Sequence, residues 1–266
     1  MARVKKDSTE YVDSEAYLAK KATFAKLTTV YGKHAVREAL QNHPSPVVVR
    51  LLLANELGDA AASELVQLAR KHQIEVRRLP WEKLSRITKN HHEDQGVAAD
   101  LDVELLSPLV SWMDHAPAQA KLLAVCGVTT PANIGIIIRS VAAAGLAGIV
   151  LTEAGCPAPT LPLIIKASAG NIFRTRIFSV RDIEDLLRTV VGSDWSLFAL
   201  ATAPHATSLF EHRPPSRAIY LLGNESMGLP DDVLSSVQGI LSIPLANGVE
   251  SLNVAAAGTL VAYHVR

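Results

Sequence analysis

Apolar residues in this chain fall into short continuous runs, separated by stretches in which they recur every three to four positions. That is the signature of strands alternating with helices. A helix is expected at 34–41, where Val36 and Leu40 share a face, after Val30-Tyr31-Gly32. The run VVVRLLL at 47–53 predicts a buried strand, and Ala61, Leu65 and Leu68 place a helix over 60–72. A short strand at 74–76, a helix at 81–87 and a strand at 96–99 complete a small α/β unit at 29–101. Residues 102–120, with two prolines and several polar side chains, read as a connection. Residues 1–28 are polar and carry Lys20, Lys21 and Lys26 after Asp13 and Glu15. They read as an arm, solvated by default, with contact to RNA as the alternative.

The alternation resumes at Lys121. Strands are expected at 122–128, 148–152, 176–178, 196–201, 218–222 and 239–243, and helices at 134–144, 163–169 and 183–191, with a last helix after Ser251. Strands alternating with helices predict a mainly parallel sheet covered on both faces over 121–266. Ligands of such sheets bind at the carboxyl ends of the strands. Three loops end strands there: Val128 to Gly135, Gly223-Asn224-Glu225, and Ala246 to Ser251.

Charge changes the picture little. The formal net charge is zero, which excludes a strong global pull toward polyanions. The first hundred residues hold 16 basic and 13 acidic side chains, a slight excess that the remainder reverses. Cys126 and Cys156 lack metal or redox spacing and read as reduced thiols near the interior. The first residues carry no apolar signal segment, and no apolar run has the length of a membrane span. A cytoplasmic protein is expected.

The loop after the first strand of the second unit lacks the G-x-G-x-x-G of dinucleotide sites. Asn133 is placed as the N-cap of the helix that follows. Arg139 sits one turn further, among Ile136, Ile137, Ile138, Val141 and Ala142. In that company it is expected to be partly buried and to need an anionic or carbonyl partner, a structural salt bridge being the alternative to a functional role. Glu225 precedes a helix start at Pro230-Asp231-Asp232 and serves as a candidate cap for backbone amides. The alanines after Asn253 suit a closely packed helix.

Together these loops resemble the motifs of the SpoU, or TrmH-like, branch of the SPOUT methyltransferases. The first motif, approximately D-P-x-N-x-G-x-x-x-R, is matched by Pro131, Asn133, Gly135 and Arg139. The second, G-x-E-x-x-G-L, is matched by Gly223, Glu225, Gly228 and Leu229. The third, I-P-[ML] followed by S-L-N-V-S, is matched by Ile243, Pro244, Leu245, Ser251, Leu252, Asn253 and Val254. Thr130 stands where the family has Asp, and Ala255 where it has Ser. Residues 29–101 resemble the substrate-binding domain fused ahead of many members, with Tyr31-Gly32 at its start and Gln95-Gly96-Val97 near its end.

The resemblance implies an α/β protein whose C-terminal, mainly parallel sheet carries a trefoil knot, preceded by a small α/β substrate-binding domain. It divides the chain into an arm (1–28), an RNA substrate-binding domain (29–101), a linker (102–120) and a methyltransferase domain (121–266). It implies S-adenosylmethionine as cofactor, no metal, and transfer of methyl to an RNA ribose 2′-hydroxyl, ribosomal RNA before transfer RNA. The alternative is a non-catalytic RNA-binding or ribosome-assembly paralogue. Ala201, Thr202, Gly223, Asn224, Glu225, Ile243, Pro244, Leu245, Leu252 and Asn253 would surround the cofactor. Arg139 would carry the chemistry as a guanidinium, since arginine keeps its proton, with Asn133, Glu225, Ser251 and Asn253 orienting it and the loops. Lys166, Arg174 and Arg176 are candidate RNA phosphate contacts, and a homodimer through the C-terminal domain is implied.

Overall fold

The structure, a computed structural model, describes residues 27–90 and 93–266. All but the end of the expected arm at 1–28 lies outside the described residues.

Two sheets organise the chain. Strands β1 (Thr28–Tyr31), β2 (Val47–Ala54), β3 (Glu75–Leu79) and β4 (Val97–Asp102) lie in the order β1-β4-β2-β3. β4 is antiparallel to β1 and β2, and β3 is parallel to β2. Helices α1 (Lys33–Gln41) and α2 (Asp59–Lys71) cover the face that carries Leu51 and Leu53. Helix α3 (Trp81–Thr88) covers Leu52 and Ala98 on the other. The period of two in a strand sends these leucines to opposite faces, and each face has a helix to receive them.

The second sheet holds β5 (Leu106–Pro108), β6 (Ala120–Val125), β7 (Gly148–Thr152), β8 (Ile177–Val180), β9 (Ser196–Leu200), β10 (Thr207–Ser208), β11 (Arg217–Leu222) and β12 (Gly239–Ser242). Their order is β10-β12-β9-β11-β6-β7-β8-β5, and every neighbouring pair is parallel. Helices α4 (Leu109–Met113), α5 (Pro131–Ala144), α6 (Pro162–Ala167), α7 (Ile183–Val190), α8 (Asp231–Ser236) and α9 (Val254–Val265) complete the chain. Leu123, Val125, Tyr220 and Leu222 pack with residues of α5 and α9, while Leu122, Ala124, Ile219 and Leu221 pack with α4, α7 and α8. Each buried leucine, isoleucine or valine among them contributes about 1.5–3 kcal/mol.

Among the boundaries that differ from expectation, two beside the crevice do so for local reasons. The strand expected to reach 128 ends at Val125, because Gly127 turns the chain with φ +69°. Helix α5 begins at Pro131, with Thr130 as its N-cap, so Asn133 lies inside the first turn. Proline pre-sets the backbone at N1 and starts the helix early. The segment 102–120 supplies β5, which pairs with β8, and α4.

Candidate functional site

The strand register aligns the loops. Leu222 of β11 pairs with Val125 of β6 and with Leu200 of β9. Leu200 also pairs with Leu241 of β12, and Val125 with Leu151 of β7. These residues form one row near the carboxyl edge, so the chain after each of them enters the same crevice.

Side chains then tie the loops together. Asn133 Nδ2 donates to Glu225 Oε1 at 2.8 Å, and Asn253 Nδ2 donates to Asn133 Oδ1 at 3.2 Å. Three loops, following β6, β11 and β12, are thus joined through one amide. Asn253 Oδ1 meanwhile accepts from the backbone N–H of Ala255 at 2.9 Å and of Ala256 at 3.4 Å, capping α9. Glu225 was a candidate cap, but Asn224 takes that role: its Oδ1 accepts from Ser226 N and Met227 N, at 2.8 and 3.0 Å. Its Nδ2 donates to Gly127 O at 2.6 Å, which leaves Glu225 to meet Asn133.

Two glycines are steric requirements. A Cβ on Gly223 would lie 2.5 Å from the carbonyl carbon of Gly228, so only glycine closes that turn. A Cβ on Gly135 would lie 2.5 Å from Ala167 Cβ and 2.6 Å from Ile164 O. Glycine there lets α5 and α6 touch.

A cleft of about 160 Å³ opens beside this network. Its walls include Ala201, Thr202, Ile243, Leu245, Ser251 and Leu252, all expected there, and Leu200, Ser242 and Ala257, which were not. The last three are strand ends and a small residue on α9, and their only sequence signal was position. Gly223, Glu225, Pro244 and Asn253 stand outside these walls; Asn224 lines a separate cleft of about 280 Å³ with Cys126, Gly127 and Leu229. The smaller cleft has apolar sides, hydroxyl groups from Thr202, Ser242 and Ser251, and no charged side chain. That chemistry suits an adenine ring read by hydrogen bonds at its edge. Small-molecule sites span about 300–1,000 Å³, so the cleft encloses part of a nucleoside ligand and leaves the rest open.

Arg139 departs from expectation. It is exposed, and it makes no hydrogen bond or ion pair with the described residues. Ile134, Ile137, Ile138 and Val141 turn inward, whereas Ile136 and Arg139 lie on the outward face of α5. Leu260 and Tyr263 are exposed on neighbouring α9. The three candidate phosphate contacts also separate. Lys166 Nζ lies 2.6 Å from Glu93 Oε2, and Arg174 pairs with Glu38, both acids belonging to the first sheet's unit. Arg176 is exposed and has no ion pair among the described residues.

Thr130 is exposed, and its side chain makes no capping bond. Ala255 is 2% exposed and packs in the core, so its methyl group faces away from solvent.

Residues 121–263 match the SpoU rRNA Methylase family, and residues 29–103 match the RNA 2'-O ribose methyltransferase substrate binding family. The chain is similar to the 23S rRNA (guanosine-2'-O-)-methyltransferase RlmB of Coxiella burnetii, 29% identical over 250 residues, 91% of this chain and 96% of that protein. Its fold is shared with the AdoMet-bound rRNA methyltransferase of Sinorhizobium meliloti (TM-score 0.74, 22% identity, 93% of this chain and 90% of that one). It is likewise shared with the SpoU methyltransferase AviRb of Streptomyces viridochromogenes in complex with AdoMet (TM-score 0.73, 23% identity, 92% and 91%). With the matched domain covering more than half of its length, the chain belongs to the SpoU rRNA Methylase family.

Proposed function

We propose that this protein transfers a methyl group from S-adenosylmethionine to a ribose 2′-hydroxyl of RNA, and that the RNA is ribosomal. The observation that carries the reading is the Glu225–Asn133–Asn253 chain of hydrogen bonds, which gathers all three family motifs at one sheet edge. The similarity to a named 23S rRNA methyltransferase along nearly the whole chain supports ribosomal RNA as substrate. In that reading residues 29–101 hold the RNA, 102–120 connect, and 121–266 carry the reaction in the cytoplasm.

Bound in the cleft, S-adenosylmethionine supplies an electrophilic methyl group on a sulfonium. Ile243, Leu245 and Leu252 would wall its adenine from water, with Ala201 and Thr202 at the rim and the backbones of Gly223 and Asn224 toward the methionine portion. Asn133, Glu225, Ser251 and Asn253 hold the loops in register. Arg139, without an ion-pair partner among the described residues, binds a phosphate next to the target ribose and stabilises charge on the 2′-oxygen as its proton passes to solvent water and the oxygen takes the methyl group from the sulfonium. Holding the oxygen in line is worth as much as any proton transfer.

The same reading makes the protein a homodimer. Ile136, Leu260 and Tyr263 leave an apolar strip on the outward side of α5 and α9, and Arg139 lies on that side of α5 with no partner among the described residues. A two-fold contact there would cover the strip and bring Arg139 to the partner's cleft. The trefoil knot belongs to this proposal too. After β12, second from the sheet's edge, the chain returns to its middle, where Gly258 of α9 packs on Leu123, Ile137 and Leu222.

Titration calorimetry with S-adenosylmethionine tests the reading. Saturable binding is expected, and no heat at millimolar cofactor would leave only the non-catalytic paralogue. The burial of Ala255 argues against that alternative, since a serine hydroxyl there would face the core rather than a ligand.

A further inference from the structure

Where the two units meet, opposite charges are placed in pairs. Helix α6 lies between α5 and the first sheet's unit, with Ile164 and Ile165 buried in a core that continues into Val30, Ala35 and Val36. Lys166, between these contacts, reaches Glu93 and lies 5.8 Å from the centre of the Tyr31 ring. Glu93 is presented to it by a built loop. The neighbouring Asp94 is fully buried and accepts from Trp81 Nε1, Ser85 Oγ, Thr88 Oγ1 and Gly96 N at 2.9–3.1 Å. Asn90 Nδ2 donates to both Glu93 Oε2, at 2.9 Å, and Tyr31 Oη, at 3.2 Å. The hydrogen bonds from Lys166 and then Asn90 hold the Glu93 carboxyl below its ordinary range.

A second pair lies one turn of chain away. Gly170 has φ +77°, and a Cβ on it would lie 2.8 Å from Glu38 Cγ, so the backbone of this turn rests directly on α1. Arg174, at the end of the same turn, pairs with Glu38. Partly exposed ion pairs contribute little stability, but two of them at separate points fix an angle.

Resting on the proposed function, we infer that Lys166 and Arg174 are positioning residues. Their pairs with Glu93 and Glu38 lock the RNA-holding unit against α6, and so set where a bound RNA presents its ribose relative to α5 and Arg139. The competing role, direct contact with RNA phosphates, makes the opposite prediction for the acids. A phosphate-binding cation gains from losing a nearby carboxylate, whereas a clamp fails.

The test uses the full chain, with ribosomal RNA purified from cells lacking the gene as the methyl acceptor. The double variant Glu38→Gln, Glu93→Gln is expected to lose about tenfold in kcat/KM, a modest share of the 10²-fold that a 1 Å misplacement costs. Its S-adenosylmethionine affinity is expected to stay unchanged and its small-angle scattering profile to broaden. Reversal of both cations (Lys166→Glu, Arg174→Glu) is expected to lose activity, and adding Glu93→Lys and Glu38→Arg to restore it. Undiminished or increased activity in the double glutamine variant overturns the clamp, as does failure of the full swap to recover while cofactor binding persists. If the wild type methylates no RNA, the proposed function fails instead. The scattering comparison still tests the clamp in that case: a profile unchanged by the two glutamines refutes it.

Discussion

Asn133 and Glu225, 92 residues apart, share a 2.8 Å hydrogen bond that closes the loop after β6 onto the loop after β11. Asn133→Ala removes this bond and the one from Asn253. Both bonds are exposed, so the melting temperature is expected to move little, with about 1 kcal/mol of stability lost. The methyl-transfer rate is expected to fall about 10²-fold through misplaced loops. Melting and single-turnover rates measured on the same preparation check both halves, and a large drop in melting with full activity per folded molecule would contradict them.

Gly135 tests the opposite balance. Gly135→Val would drive a side chain into Ala167 and Ile164, where the Cβ alone approaches to 2.5 Å. A loss of about 1–3 kcal/mol is expected from overpacking, read as a lowered melting temperature. Gly145→Ala serves as a comparison, since a Cβ there meets nothing and only the backbone is strained.

The architecture was legible where local pattern decides it. The strand expected at 148–152 and a helix through 144 are where periodicity placed them. The crevice followed from strand order and motif positions. What escaped was set by long-range geometry. Arg139 has isoleucines on its N-terminal side and apolar Val141 and Ala142 beyond, which suggested burial, but at 100° per residue it shares the outward face with Ile136. Lys166 and Arg174 announced only positive charge. Their partners lie 73 and 136 positions earlier, and no local pattern names them. β5 is three residues long and ends in proline, too short for any period to register.

The two thiols should differ in reactivity. Burial, reinforced by nearby Cys156, pushes the Cys126 thiol far up. Thiolate is the reacting form, so iodoacetamide at pH 8 is expected to modify one equivalent per native chain, at Cys156, which is only half-buried. Peptide mapping that found Cys126 modified first would refute this.

His212 provides a pH signature. Burial, and secondarily the charge of His264, lower its pKa; its ring bonds Tyr220 Oη at 3.0 Å and packs tilted against Phe198. A histidine depressed in the folded state adds stability in full above its unfolded value, about 6.5. That contribution is lost as the pH falls through the lower folded value. Melting temperature should therefore decline below pH 6.5, and His212→Gln should flatten the decline. An identical slope in the variant would assign it to other groups.

Ribose-methylation mapping of total RNA, in cells lacking the gene and carrying either wild type or Arg139→Ala, decides whether Arg139 serves methyl transfer to a ribosomal RNA ribose. Arg139 is exposed and has no partner among the described residues, so the variant should fold normally and lose about 10²–10³ in rate. One ribosomal RNA site is expected to disappear with the gene, return with wild type, and stay absent with Arg139→Ala. Maps identical with and without the gene, or a site fully restored by Arg139→Ala, would contradict this expectation.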